Sequence, residues 1–131
     1  MHKIRSYLAH VFFAVAWTLV VFILLALPGS MIPKEQAFAL PGFDKVVHLI
    51  LFGGFVWLWC LHVASKKFST AKRLRFFFYI FILAAIYGIG MEYVQKYFIP
   101  GRDYDLADMI ADLIGAGLAY GICNTTLAES S

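Results

Sequence analysis

Apolar residues gather into four long stretches separated by short polar ones, and each stretch is too continuous to be the one-sided face of a soluble helix. Residues 8–27, LAHVFFAVAWTLVVFILLAL, hold a single ionisable side chain, His10. A helix of some 20 residues rises about 30 Å, the thickness of a bilayer's hydrocarbon layer, so a first membrane span is expected there. A second is expected over about 46–64, VVHLILFGGFVWLWCLHVA, and a third over about 76–99, closed by Pro100 and Gly101. The fourth, about 106–123, carries Asp108 and Asp112 inside its apolar run. Between the first two, PGSMIPKEQAFALPGF is broken by three prolines and two glycines and reads as a loop with room for a short interfacial helix. Lys3 and Arg5 give the first stretch the look of a signal peptide. No small-residue cleavage site closes it and three apolar stretches follow, so an uncleaved helix is expected.

Composition agrees with that pattern and removes the soluble alternative. The chain is 62% hydrophobic and 15% charged, with mean hydropathy +0.78 over 131 residues. A soluble domain of this size lacks the polar surface to cover four such runs. The expected fold is therefore all-α, a single-domain integral membrane four-helix bundle over residues 1–131. Cys60 and Cys123 fall inside apolar runs without a metal-binding spacing and are expected to be packing residues.

Charge then sets the orientation. Lys3, Arg5, Lys66, Lys67, Lys72, Arg73 and Arg75, seven of the eleven basic residues, fall on one side, which the positive-inside rule makes cytoplasmic, together with both termini. The basic loop is short and abuts two spans, which suits anionic lipid headgroups and not nucleic acid. Seven of the eight acids, Glu35, Asp44, Glu92, Asp103, Asp105, Asp108 and Asp112, fall at the outer ends.

Those acids carry the candidate chemistry. Asp105, Asp108 and Asp112 recur at intervals of three and four, which stacks them on one helix face. Asp44 and His48 share a face of the second span beside Lys45, and Glu92 and Gln95 share a face of the third. A charged group within a span costs at least ~2.5 kcal/mol, so such residues normally face the bundle interior and pair. Glu92 and Asp112, about two turns inside their helix ends, are expected to meet Lys45, His48 or Arg102 in an outward-facing cluster. Asp103 and Asp105 are expected to cap the fourth span, at the positive end of its dipole. His10, His62 and the many aromatic residues are expected to pack or to anchor at the interface.

Acid–base chemistry is one use of such a cluster: Glu92 or Asp108 as general base, His48 as acid or base, and Lys45 and Arg102 holding a phosphate or carboxylate. Asp44, Gln95 and Asp112 complete the ligand-binding set. No serine or cysteine stands among them, so water is the expected nucleophile. His48, Glu92, Asp108 and Asp112 offer one nitrogen and several oxygens to Mg²⁺, Mn²⁺ or Zn²⁺, but they are spread over three spans without a motif such as HExxH, so the residue pattern leaves metal and cofactor open. Gly53, Gly54, Gly88, Gly90, Gly115, Gly117 and Gly121 permit close helix packing, with the pair at 117 and 121 at small-xxx-small spacing. Gly117→Leu is expected to disturb the bundle or, equally, a homo-oligomer face.

The combination DKVVH, EYVQ, Arg102 followed by Asp108 six residues later, and GAG at 115–117 resembles the VanZ-like family of bacterial membrane proteins over about residues 28–121. The resemblance implies a small multi-pass protein of the bacterial plasma membrane, with members linked to low-level resistance to the glycopeptide teicoplanin. It singles out Asp44, Lys45, His48, Glu92, Gln95, Arg102, Asp108 and Gly115. Where relatives usually have Asn four residues after the Asp of the last span, this chain has Asp112, which adds a potential negative charge. The expected function is binding or modification of a cell-envelope ligand, lipid-linked or a cell-wall precursor, affecting glycopeptide susceptibility; enzymatic turnover is left open. Two alternatives stand beside it: non-catalytic binding of a lipid or antibiotic, and a proton-coupled carrier with Glu92, His48 and Asp112 as relay. The carrier is disfavoured because the inner half carries no acids to continue the path.

Overall fold

The computed structural model describes residues 2–28, 30, 42–102 and 105–129, and its helices are α1 (His2–Leu8), α2 (Val11–Leu25), α3 (Phe43–Ala64), α4 (Thr70–Phe98) and α5 (Leu106–Thr126). No strand occurs among the described residues. Three helices, α3, α4 and α5, are long and apolar enough to cross a membrane. At 1.5 Å per residue they measure about 33, 44 and 32 Å. Their outward surfaces match that environment: Ile50, Ile86, Leu83, Leu118 and Ile122 are each more than half exposed. Large apolar side chains facing outward all along a helix require lipid as their solvent.

The first apolar stretch differs from the expected unbroken span at 8–27. Only its first residue, Leu8, belongs to α1; the chain breaks at Ala9 and His10 and α2 starts at Val11, because His10 takes an extended conformation (φ −64°, ψ 137°) and its Nδ1 accepts the Phe12 N–H at 3.1 Å, acting as an N-cap. One polar imidazole is diluted in a window of twenty residues, yet here it starts a helix. The 15 residues of α2 measure about 22 Å, short of the ~30 Å hydrocarbon layer. At the other end Pro28 follows, and the residue before a proline is pushed out of the helical region.

The other boundaries move for equally local reasons. Ser69 caps α4 by accepting from Lys72 N at 3.2 Å, so α4 begins six residues before the expected position 76 and carries Lys72, Arg73 and Arg75 on its first turns. The loop holding Glu35, its interfacial helix, and Asp103 lie outside the described residues.

End contacts fix the directions. His62 near the end of α3 bonds the Ala9 carbonyl at 3.0 Å, and Gln95 near the end of α4 donates to the Leu25 carbonyl at 2.9 Å. Arg73, buried at the start of α4, donates to the carbonyls of Leu127 at 3.3 Å, Glu129 at 2.7 Å and Lys66 at 3.1 Å, which ties the end of α5 to the α3–α4 connection. Hence α3 and α5 run parallel to each other, and α2 and α4 run the opposite way. The basic residues Arg5, Lys66, Lys67 and Arg73 line one cavity of about 820 Å³ at one end. The starts of α3 and α5 and the end of α4 meet at the other.

α3 is the central element, packed on every other helix and most extensively on α5. Two glycines permit that contact. A Cβ on Gly53 would stand 3.3 Å from the Gly115 carbonyl oxygen, and one on Gly115 would stand 2.8 Å from Leu49 Cα. The expected pair at 117 and 121 does not make this approach: the nearest atom to a Cβ on Gly117 is Phe81 Cε1 at 3.9 Å, and Gly121 faces open space. The reason is angular. Asp108, Asp112, Gly115 and Ala119 follow one face of α5, and Gly117, two residues on from Gly115, lies about 200° away. A second close seat holds Trp17 against Gly54, with the Trp17 indole N–H donated to the Leu51 carbonyl at 2.8 Å. Cys60 and Cys123 are free and fully buried in the core, as packing residues.

Candidate functional site

Parallel α3 and α5 present their first turns to each other in register, so residues spaced three or four apart on each form two layers. In the outer layer the Lys45 ammonium reaches three carboxylates: Asp44 and Asp105 at 2.7 Å and Asp108 at 2.5 Å. One turn deeper, His48 Nδ1 bonds Asp112 Oδ1 at 2.6 Å while its Nε2 lies 3.5 Å from Asp108 Oδ2. The deeper layer is sealed, with His48 4% and Asp112 2% exposed. Space for Asp112 comes from α4: Gly88 has no side chain, and a Cβ there would stand 3.0 Å from Asp112 Oδ2.

The connection between α4 and α5 supplies the third wall. Gly101 adopts φ +73°, a left-handed value that glycine takes without strain, and the chain reverses at once. That reversal lays the start of α5 on the end of α4, where Glu92, 1% exposed, accepts the Asp105 N–H on Oε2 at 3.1 Å. Asp105 does more than the helix-capping role expected of it. Oδ1 accepts from Ala107 N at 2.9 Å while Oδ2 meets Lys45, and that ammonium holds the Asp105 carboxyl below the usual carboxylate range.

Of the residues singled out by sequence, the structure brings Asp44, Lys45, His48, Glu92, Asp108 and Asp112 together and places Gln95 and Arg102 elsewhere. Gln95 is buried with its amide on Leu25, and Arg102 Nη1 donates to the Leu27 carbonyl at 3.2 Å, so both fasten the end of α2 at the rim. Carbonyls at a helix end have no partner within the helix, and these two side chains satisfy them. Lys45 is engaged by three carboxylates. Among the described residues, the phosphate-holding role expected of Lys45 with Arg102 therefore finds Lys45 already paired and Arg102 at the rim.

Formal charge sharpens this. Five carboxylates, Asp44, Asp105, Asp108, Asp112 and Glu92, face Lys45 and His48. Were all five ionised and His48 protonated, the group would carry three uncompensated negative charges, two of the acids being exposed enough for water to screen. Asp112 Oδ2 is buried without a hydrogen-bond partner among the described residues. A group of this kind takes up protons or a cation.

Sequence reasoning missed the neighbour of the cluster. An apolar groove of about 790 Å³ between α2, α3 and α5 is lined by Leu49, Ile50, Gly53, Trp57 and Leu118 beside Trp17, with none of the cluster side chains in its wall. Its only sequence signal is the glycine pair at 53 and 54 between large residues, which says that something packs close but not what.

A family model described as VanZ/LLP1 matches residues 1–127. An uncharacterized protein of fission yeast, Schizosaccharomyces pombe, is 30% identical over 103 residues, covering 77% of this chain and 59% of that protein. The chain thus spans about three fifths of that relative's length. No solved structure matches.

Proposed function

The chain belongs to the VanZ/LLP1 family, and on that footing we propose that it is a multi-pass membrane protein that receives the polar headgroup of a membrane amphiphile at the cluster on α3, α4 and α5. The observation that carries this reading is a polar cluster whose outer acids Asp44 and Asp105 are open while His48, Glu92 and Asp112 are buried behind them, on the same helix α3 that also lines an apolar groove from Leu49 onward. A headgroup and its hydrocarbon chain have the same division of polarity. Lipid-linked precursors of the cell envelope are ligands of this type. A relative in fission yeast favours a headgroup not peculiar to bacterial walls, such as that of a phospholipid. In a bacterial plasma membrane, holding or altering such a ligand would change the access of a glycopeptide such as teicoplanin to its target.

The cluster supports modification as well as binding. His48, Glu92 and Asp108 are buried beside one another and lack a serine or cysteine, so the reaction in this reading is attack by water on the headgroup. The water oxygen bonds the phosphorus or carbonyl carbon as its proton passes to a cluster carboxylate, the bond from that centre to the departing oxygen breaks, and the carboxylic acid so formed returns the proton to the departing oxygen. The outward orientation rests on the basic end. Arg5, Lys66, Lys67 and Arg73 collect opposite the cluster and favour the cytoplasmic side. α1 and α2 together form the first crossing in this arrangement, which makes four.

Two measurements test the reading. Ser69→Cys in intact cells is expected to resist a membrane-impermeant maleimide until the membrane is opened; labelling in sealed cells would overturn the orientation. Native mass spectrometry of protein gently extracted from the producing cell's membrane should show a co-purifying lipid or precursor that Glu92→Gln loses. Wild type and variant carrying the same lipids in the same amounts would reduce the cluster to a structural ion-pair group.

A further inference from the structure

His48 is aimed as well as buried. Asp112 occupies Nδ1, which leaves Nε2 as the free ring nitrogen, facing Asp108 Oδ2 at 3.5 Å. That distance is long for an N–H···O hydrogen bond, whose usual range is about 2.7–3.2 Å. It is the separation of two ligands on one tetrahedral metal ion: with metal–ligand bonds of about 2.0–2.1 Å, ligand atoms stand about 3.4 Å apart. Glu92 completes the set from the third helix, and one ligand atom from each of His48, Glu92 and Asp108 lies within 4.8 Å of the others.

A second grouping, Asp44, Asp105 and Asp108, has the same compactness, but the Lys45 ammonium already sits among its oxygens. The cation for that layer is part of the chain. Among the described residues, the deeper layer has the imidazole alone to set against Glu92, Asp112 and the second oxygen of Asp108. The carboxylate on Nδ1 also fits, because ligating histidines almost always give their other ring N–H to such a partner, which fixes the tautomer. The orphaned Asp112 Oδ2, fully enclosed against Gly88, shows that this layer is short of donors and cations for its oxygens.

We infer that His48 Nε2, Asp108 Oδ2 and a carboxylate oxygen of Glu92 bind one divalent metal ion of the zinc and manganese class, with Asp112 orienting the histidine. The inference rests on the reading of this cluster as the working site and names the ion that site uses. One nitrogen and two oxygens suit either metal, and three protein ligands leave a position open for water or a headgroup oxygen. The ion also resolves the charge conflict, since a phosphate that the bare carboxylates would repel becomes a ligand of the metal.

The test is direct titration of the purified, chelator-treated protein in detergent with Co²⁺, read by its visible absorbance, and with Zn²⁺ and Mn²⁺, read by elemental analysis after desalting. One equivalent is expected for wild type and for His62→Ala, whose histidine lies at the opposite end of α3. His48→Phe and Asp108→Asn should bind at least ~100-fold more weakly while retaining helical circular dichroism. Asp112→Asn keeps an acceptor for Nδ1–H and preserves the fold; a loss of about 10–100-fold is expected for it, as for other outer-shell partners. Folded wild type that takes up no equivalent of any of the three ions overturns the inference, as does undiminished binding by the three site variants. Lipid retention measured on the chelated protein separates the two readings. Glu92-dependent retention without metal binding leaves the headgroup site standing and removes only the ion, whereas absence of both removes the site.

Discussion

Gly115→Leu is expected to abolish recovery of folded, monodisperse protein, the largest effect of any single substitution in the chain. A Cβ at Gly115 would come within 2.8 Å of Leu49 Cα, and closer still to the Leu49 carbonyl oxygen. Both obstacles are backbone atoms of a 22-residue helix, so no side chain can rotate away. α3 and α5 must separate. Overpacking typically costs about 1–3 kcal/mol even where a core can adjust, and here adjustment means parting the two most extensively packed helices. The consequence reaches the cluster, because Lys45–Asp108 and His48–Asp112 bridge the same two helices within two turns of the contact. Gly115→Ala brings its Cβ against the same two backbone atoms and should also be strongly destabilised, short of Leu only by the further bulk beyond the Cβ. Gly117→Leu is the control: its side chain enters a surface where the nearest atom is 3.9 Å from the Cβ position, and a change within about 0.5 kcal/mol is expected. Equal melting temperatures for Gly115→Leu and Gly117→Leu, by thermal unfolding in one detergent, would refute the account of the contact.

That contrast marks where the sequence was readable. The acids of α5 announced their face, because intervals of three and four can mean little else in a helix and because burying a carboxylate is costly enough to demand a partner. Their partners were legible for the same reason: Lys45 and His48, three apart on α3, begin at the same end. Small residues give no such direction. Gly117 and Gly121 have the spacing of an interface and lack the facing, and only the position of Asp112 relative to Gly115 on the helical wheel reveals which glycine meets α3. Gln95 and Arg102 shared depth with the cluster, yet their amide and guanidinium go to the carbonyls of Leu25 and Leu27. The unpaired carbonyls of a helix end also demand donors, and a sequence shows the carboxylates but not where α2 stops. His10 is the same failure in miniature. A residue that reads as one polar interruption in 20 supplies the cap that starts α2 at Val11 and shortens the expected span.

His48 and Asp112 are expected to behave as a unit: losing one should be worse than losing both. His48→Leu keeps approximate volume but leaves Asp112, 2% exposed, with neither oxygen partnered. Breaking a buried charged pair from one side costs about 3–5 kcal/mol. Asp112→Ala strands an imidazole nitrogen instead of a carboxylate, and an unsatisfied buried polar atom costs about 1–3 kcal/mol. Combining the two changes removes both groups of that pair at once, so the double variant should be more stable than His48→Leu alone, with the small cavity at position 112 and the lost His48 Nε2–Asp108 contact left as losses. Thermal unfolding of the four proteins in one detergent with chelator present, so that no bound ion contributes, gives the coupling. A double variant whose loss equals the sum of the two single losses would show that the 2.6 Å contact does not hold the pair. A double variant that folds well and neither binds Co²⁺ nor retains lipid would separate the two roles of the residues, since the apolar pair then replaces them in packing and in nothing else.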